Sequence, residues 1–102
     1  MILYHVTERN NVPSILDLGI FPGRVPNRYD VRGVFFVTNL MDIKDIIYWE
    51  DFEDPIVLRV TLPNNFPLQR DEAGEEIYPD ALPVYTTKYV SPKYIKVLRR
   101  DL

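Results

Sequence analysis

The first nineteen residues, MILYHVTERNNVPSILDLG, constrain the fold of this chain more than any other stretch. Residues Ile2–Val6 are apolar and rich in strand-forming types, apart from His5, the only histidine in the protein. This segment therefore predicts a buried β-strand. Thr7 follows two residues after His5. A strand that carries an inward polar pair and then leads into a helix positions hydrogen-bonding side chains at the mouth of a pocket.

The segment after this strand predicts a short helix of about two turns. Asn10 or Asn11 supplies the cap, Pro13 lies in the first turn, and Gly19 ends the helix. This distribution is typical of these residue types at helix ends. Apolar side chains at positions 12, 15 and 16 fall on one helix face, as expected for a helix that packs on a sheet.

The rest of the chain predicts four more strands and one more helix. The strand-like runs are Val34–Thr38, Ile56–Leu62, Pro83–Thr87 and Tyr94–Leu98. Asn39 and Asp42 resemble a capping box, which opens a helix that ends at about Glu50. Strands outnumber the two short helices and do not alternate strictly with them, so we expect an α+β fold. The length predicts a single domain over residues 1–102.

Two stretches without periodicity predict long loops. Residues 20–33 are rich in Gly, Pro and Arg, and residues 63–83 hold four prolines and five acidic residues. We expect a short strand near Phe66–Leu68 inside the second loop. A structureless connection longer than about twelve residues in a compact domain is usually functional.

Charge and composition exclude several classes of function. The net charge is -3 and no basic run exceeds Arg99–Arg100, which argues against nucleic acid as an obligate partner. A local basic patch from Arg24, Arg28 and Arg32 stays compatible with the sequence. With no cysteine and one histidine, we expect no disulfide, no thiolate catalysis and no metal site. No apolar run approaches the roughly twenty residues of a membrane span and no signal peptide is evident, so we expect a cytoplasmic protein without membrane contact.

Three segments together resemble the ADP-ribosyltransferase fold family: LYHVT, then NNVPSIL running into Gly-Ile-x-Pro, then GVFFVT. HVTERNNVPSIL is similar to the first motif of the DarT-type DNA ADP-ribosyltransferases, which has the form H-x-T-x-x-x-N-x-x-x-I-L. The C-terminal YVSPKYIKVL also resembles the closing strand of that family. The resemblance implies a small split-sheet fold in which two small sheets part around a cleft for NAD, the substrate.

The resemblance also implies roles for individual residues. His5 would hydrogen-bond a ribose hydroxyl of NAD, and we expect it to orient the substrate rather than act as a general base. The Val6 backbone would recognise the nicotinamide amide, and Thr7 and Asn11 would line the adenosine side of the NAD cleft. The remaining implied NAD contacts are Phe35, where the family has a stacking Tyr, and Arg24 or Arg32, which would meet the pyrophosphate.

The chain departs from the family at the catalytic glutamate. In the family, a Glu on a C-terminal strand stabilises the transition state as nicotinamide leaves, and here Pro83 or Val84 occupies the expected position. Asp80, Glu75 and Glu76 lie close by in sequence, and Asp80 is the substitute we expect to be catalytic together with His5. Loss of a charged transition-state stabiliser typically slows a reaction by about 10²- to 10³-fold.

Two functions from different classes follow from these residues. The first is an NAD-binding mono-ADP-ribosyltransferase-like protein that transfers ADP-ribose to a macromolecular acceptor. The alternative is a pseudoenzyme on the same fold, a non-catalytic protein that binds a nucleotide or a partner, and a purely structural interaction domain is a third reading. The acidic balance favours a protein or small-molecule acceptor, whereas the DarT-like motif favours DNA, so the acceptor stays open at this point.

Overall fold

The computed structural model describes residues 1–25, 28–40 and 43–99, which form seven strands and three α-helices. The strands are β1 (Ile2–Glu8), β2 (Gly23–Val25), β3 (Arg28–Val37), β4 (Pro55–Thr61), β5 (Gln69–Arg70), β6 (Pro83–Thr86) and β7 (Ile95–Arg99). The helices are α1 (Val12–Leu18), α2 (Ile43–Trp49) and α3 (Glu72–Ile77), with single 3₁₀ turns at Arg9–Asn11, Pro79–Ala81 and Pro92–Tyr94. The expected α+β class is confirmed.

Six of the strands form one antiparallel sheet in the order β5-β6-β3-β1-β4-β7, and β2 pairs with β3 outside this row. Strand β1 lies near the middle of the sheet and its two edges differ. Toward β4 it pairs along its whole length, from Ile2 opposite Thr61 to Glu8 opposite Pro55. Toward β3 the register holds the single pair Tyr4 and Val37. The two strands therefore part just beyond Tyr4.

Each face of the sheet is covered by its own apolar cluster. The first cluster includes Leu3 and Phe36 from the sheet and Ile15 from α1. The second includes Val37 and Val57 from the sheet, together with side chains of α2 and the segment after α3. Successive strand residues point to opposite faces, which is why adjacent residues of β1, and likewise of β3, belong to different clusters.

Helix α1 ends where the sequence predicts, but its start is held differently. Gly19 is the C-cap with a φ of 87°, and its N–H donates to the carbonyl of Ile15. A Cβ at Gly19 would lie 2.3 Å from the carbonyl oxygen of Val90, so only glycine fits here. Asn11 occupies the N-cap position without a side-chain capping bond. The sequence predicts the position of the cap correctly, but the Asn11 side chain makes no capping bond, because the 3₁₀ turn Arg9–Asn11 runs directly into α1 and leaves Asn11 itself helical.

Both predicted loops contain regular structure. Residues 23–25 and 28–37 form the β2–β3 hairpin, in which Gly23 lies opposite Gly33 and Arg24 opposite Arg32. The second stretch holds β5 and α3, so the described residues carry three short helices rather than two.

The short strand also lies later than expected, at β5, while Phe66 closes a turn on the carbonyl of Pro63. Asp42 of the predicted capping box lies outside the described residues. Within the described residues, no helix is long and apolar enough to cross a membrane.

Candidate functional site

A cleft of about 650 Å³ opens where β1 and β3 part. Its walls come from β1, β3 and α1, from the segment that joins α1 to β2, and from the turn after α2. Because the main-chain ladder between β1 and β3 stops at Tyr4 and Val37, side chains rather than backbone pairing line the space beyond. Four of these side chains are residues that the sequence singled out: His5, Thr7, Asn11 and Phe35. Val6 lines the same cleft.

His5 bridges the gap between the two strands. Its Nδ1–H donates to the carbonyl oxygen of Phe35 at 2.7 Å, and its ring meets the edge of Phe36 at 5.9 Å between centroids. A carbonyl oxygen only accepts hydrogen bonds, so the proton of the neutral ring lies on Nδ1 and Nε2 keeps a lone pair. Burial lowers the pKa of His5 below 6.5, and the bond to Phe35 opposes that shift only in part. At neutral pH, His5 is therefore a fixed hydrogen-bond acceptor at Nε2.

Thr7 and Asn11 form a second polar pair beside His5. The Nδ2 of Asn11 donates to Oγ1 of Thr7 at 3.1 Å. Thr7 is buried, whereas Asn11 is exposed at the start of α1. The bond ties the end of β1 to the helix that follows it, and it leaves the Oδ1 end of the Asn11 amide as an acceptor.

Phe35 contributes an aromatic wall on β3. Its half-buried ring stacks on Tyr85 of the neighbouring strand, with centroids 5.3 Å apart and an interplanar angle of 26°. Phe35 and Tyr85 are direct partners in the β3–β6 register, and such pairs stabilise a sheet through their side chains. Tyr85 is held in turn by a hydrogen bond from its hydroxyl to Oε1 of Gln69, at 2.8 Å. The ring at position 35 is thus fixed from behind.

The acidic residues expected to replace the family glutamate do not line this cleft. Asp80 is exposed on the 3₁₀ turn Pro79–Ala81. Glu75 forms a two-point ion pair with Arg70, at 2.8 and 2.6 Å. The bond of this pair lowers the pKa of Glu75. Glu76 is exposed on α3.

Four other carboxylates line the cleft, and the sequence did not single them out. They are Glu8, Glu50, Asp51 and Asp71. Glu8 accepts hydrogen bonds from the main-chain N–H groups of Glu53 and Asp54, which holds the turn after α2 against β1. Asp71 is buried and accepts from the N–H of Gly74 as the cap of α3. An aspartate just before a short run of helix formers is a capping signal that could have revealed Asp71.

The predicted arginines belong to the β2–β3 hairpin at the rim of the cleft. Arg32 is exposed and lies opposite Arg24 in the register. The side chain of Arg24 lies outside the described part of the structure. Gly23 and Gly33, which flank the two arginines, line the cleft directly. Within the described residues, no group of three metal-binding side chains comes together.

The sequence matches no protein-family model, and a search of the curated proteins gives no match. The cleft and its side chains are therefore the basis for a functional assignment.

Proposed function

We propose that this chain binds NAD in the cleft between β1 and β3 and transfers its ADP-ribose to a macromolecular acceptor. The observation that carries the proposal is that His5, Thr7, Asn11 and Phe35 all line one cleft. These residues belong to three different elements and are up to thirty positions apart in sequence. The resemblance to the ADP-ribosyltransferase fold had assigned all of them to NAD. The parting of β1 from β3 beyond a single residue pair also supports a split-sheet fold of that kind.

In this proposal His5 orients the ribose next to nicotinamide. Its Nε2 lone pair accepts a hydrogen bond from a ribose hydroxyl, while Nδ1–H stays bound to Phe35. The nicotinamide ring packs on Phe35, whose ring is backed by Tyr85. Arg24 or Arg32 of the β2–β3 hairpin meets the pyrophosphate, because a guanidinium fork suits phosphate oxygens.

The reaction would break the bond between C1′ of the ribose and the nicotinamide nitrogen. Nicotinamide leaves with the electron pair of that bond, positive charge develops on the ribose, and the acceptor nucleophile adds at C1′ and loses its proton. A carboxylate near the ribose would stabilise this charge. Asp80 stays the predicted candidate for that role, and Asp71 is the most buried carboxylate of the cleft wall.

A second candidate function is nucleotide binding without catalysis. It is favoured by the position of Asp80, Glu75 and Glu76, none of which lines the cleft in the described part of the chain. A site that orients NAD but lacks a charge beside the ribose would bind better than it reacts. The two functions differ in one product, since an enzyme releases nicotinamide.

The test measures NAD binding by calorimetry and nicotinamide release in the same samples. His5→Asn is the informative variant, because its side-chain amide can keep the bond to the Phe35 carbonyl while the Nε2 acceptor is lost. Lys96→Ala, an exposed change on β7 away from the cleft, is the control. We expect wild type and Lys96→Ala to bind NAD and release nicotinamide, and His5→Asn to bind at least tenfold more weakly, which corresponds to about 1.4 kcal/mol.

The outcomes separate the two functions. Release that depends on His5 supports the transferase, and comparing Asp80→Asn with Asp71→Asn then identifies the carboxylate that the reaction needs. Binding without release supports the non-catalytic function. Absence of NAD binding by wild type refutes both forms of the proposal.

A further inference from the structure

A pair of exposed aromatic rings, one of which lines the cleft, lies apart from the residues that hold the nicotinamide end in the proposed function. Phe21 and Tyr89 contact each other with centroids 4.8 Å apart and an interplanar angle of 37°. Phe21 is 63% exposed and lines the cleft, and Tyr89 is 45% exposed. Two large rings left this open to solvent do not serve the core. We call Phe21 and Tyr89 the aromatic platform.

The platform is held rigidly by its surroundings. The hydroxyl of Tyr89 donates to the carbonyl oxygen of Leu18 at 2.6 Å. Ile20 and Val90 exchange two main-chain hydrogen bonds, each of 2.9 Å, in an isolated bridge beside the rings. Gly19 packs this closely against Tyr89 only because it lacks a side chain, since a Cβ would lie 2.8 Å from the Tyr89 ring. Binding of a planar partner therefore needs little ordering of Tyr89.

We propose that the aromatic platform stacks the adenine base of a purine nucleotide whose other end enters the cleft. The inference rests on the proposed function, in which that nucleotide is NAD. A planar base stacks on exposed aromatic rings regardless of its substituents, and Phe21 belongs to the same cleft as His5. The platform therefore provides a binding place for adenine that is separate from the nicotinamide end of the cleft.

Polar groups around the platform suit a nucleotide better than a purely apolar ligand. Ser14 is exposed on α1 and lines the same cleft. Its hydroxyl would therefore face the polar edge of a base bound there. Asn11, one helical turn earlier, presents the Oδ1 end of its amide. The β2–β3 hairpin begins two residues after Phe21, at Gly23, and carries Arg24 and Arg32. The residues proposed to bind the base and those proposed to bind the phosphates are thus close together in the chain.

The test divides NAD into its two halves. Calorimetry measures the affinity of wild type, Phe21→Ala and Phe21→Trp for AMP, ADP-ribose, nicotinamide mononucleotide and NAD. Tyr48→Ala is the matched control, since Tyr48 is a 76% exposed aromatic residue on α2 that does not line the cleft. We expect Phe21→Ala to weaken AMP, ADP-ribose and NAD roughly 5- to 150-fold, the range for loss of one stacked base. Its affinity for nicotinamide mononucleotide should not change, and Phe21→Trp should keep the affinity for AMP.

His5→Asn should give the reverse pattern, with weaker binding of nicotinamide mononucleotide and unchanged binding of AMP. If Phe21→Ala binds AMP as tightly as wild type, or weakens both halves equally, the adenine platform is wrong even though NAD binds. If wild type binds AMP through Phe21 but does not bind NAD, the platform stands and the proposed function is wrong. If wild type binds none of the four nucleotides, both are overturned.

Discussion

Strand β1 has two edges that the fold uses in opposite ways. On the β4 side it forms a continuous ladder of seven residue pairs, from Ile2 with Thr61 to Glu8 with Pro55. On the β3 side the register consists of the pair Tyr4 and Val37. Beyond that pair, the imidazole of His5 reaches across the gap to the carbonyl of Phe35 and the ring of Phe36. A main-chain ladder on one edge is thus replaced by a side-chain contact on the other.

The paired edge of β1 adjoins a strand that is apolar and buried on both faces. In β4, Ile56, Val57, Leu58 and Val60 are at most 2% exposed, so the paired edge is covered by apolar side chains on both faces. A strand held this firmly is a scaffold, and the opposite edge is free to carry polar side chains whose positions stay fixed. The firmly paired half of the sheet thus keeps His5 and Thr7 in place beside the gap, where the proposed function puts the nucleotide.

The largest effect we predict is the loss of protein stability when a buried side chain on the paired side of β1 is truncated. Leu58 is fully buried and lies directly opposite His5 in the register. Leu58→Ala should lower the free energy of unfolding by about 2–5 kcal/mol, through lost burial and the cavity it leaves. His5→Asn on the other edge should cost only about 1 kcal/mol, since the bond to Phe35 can be kept. Urea denaturation measures both, and equal losses would contradict the division into scaffold and site.

A smaller effect is the pH dependence that His5 contributes. Its pKa is lowered by burial in the folded state, so the unfolded chain binds more protons between the two pKa values. Stability therefore falls as pH decreases from about 6.5 through the folded pKa, and levels off below it. NAD affinity should decrease over the lower part of this range, because protonation removes the acceptor at Nε2.

The single histidine makes this prediction easy to measure. One imidazole signal in an NMR titration reports the pKa of His5 directly, and we expect a value below 6.5. The variant His5→Asn should lose this part of the pH dependence of stability between pH 7 and 5. A His5 pKa at or above 6.5, or a variant with the same pH profile as wild type, would refute the buried neutral imidazole.

The sequence predicts those parts of the fold that depend on local pattern. The apolar run Ile2–Val6 became β1, and Gly19 ended α1 as expected, because burial of alternate side chains and a positive φ act within a few residues. The β2–β3 hairpin was missed because its strands are defined by cross-strand partners such as Gly23 and Gly33. Helix α3 was missed because six residues give too little periodicity to recognise.

The same distinction applies to the candidate site. His5, Thr7 and Asn11 could be singled out because they lie within seven positions of one another around one strand–helix junction. Tyr89 could not, since its contact with the end of α1 spans 71 positions. The separation of Asp80 from the cleft was equally invisible, because it depends on where the turn after α3 packs.

The smallest effect we predict concerns the polar pair at the junction of β1 and α1. Thr7→Val keeps the shape of a buried side chain but removes the acceptor of the Asn11 bond, which should lower the free energy of unfolding by about 0.5–1.5 kcal/mol. If the bond serves only to tie α1 to β1, Asn11→Ala should cost a similar amount and the double variant no more than either single change. If Asn11 also binds the nucleotide, Asn11→Ala should weaken AMP binding beyond the effect of Thr7→Val. A double-mutant cycle with both stability and AMP affinity as readouts separates these roles, and additive effects on stability would show that the pair does not act as a unit.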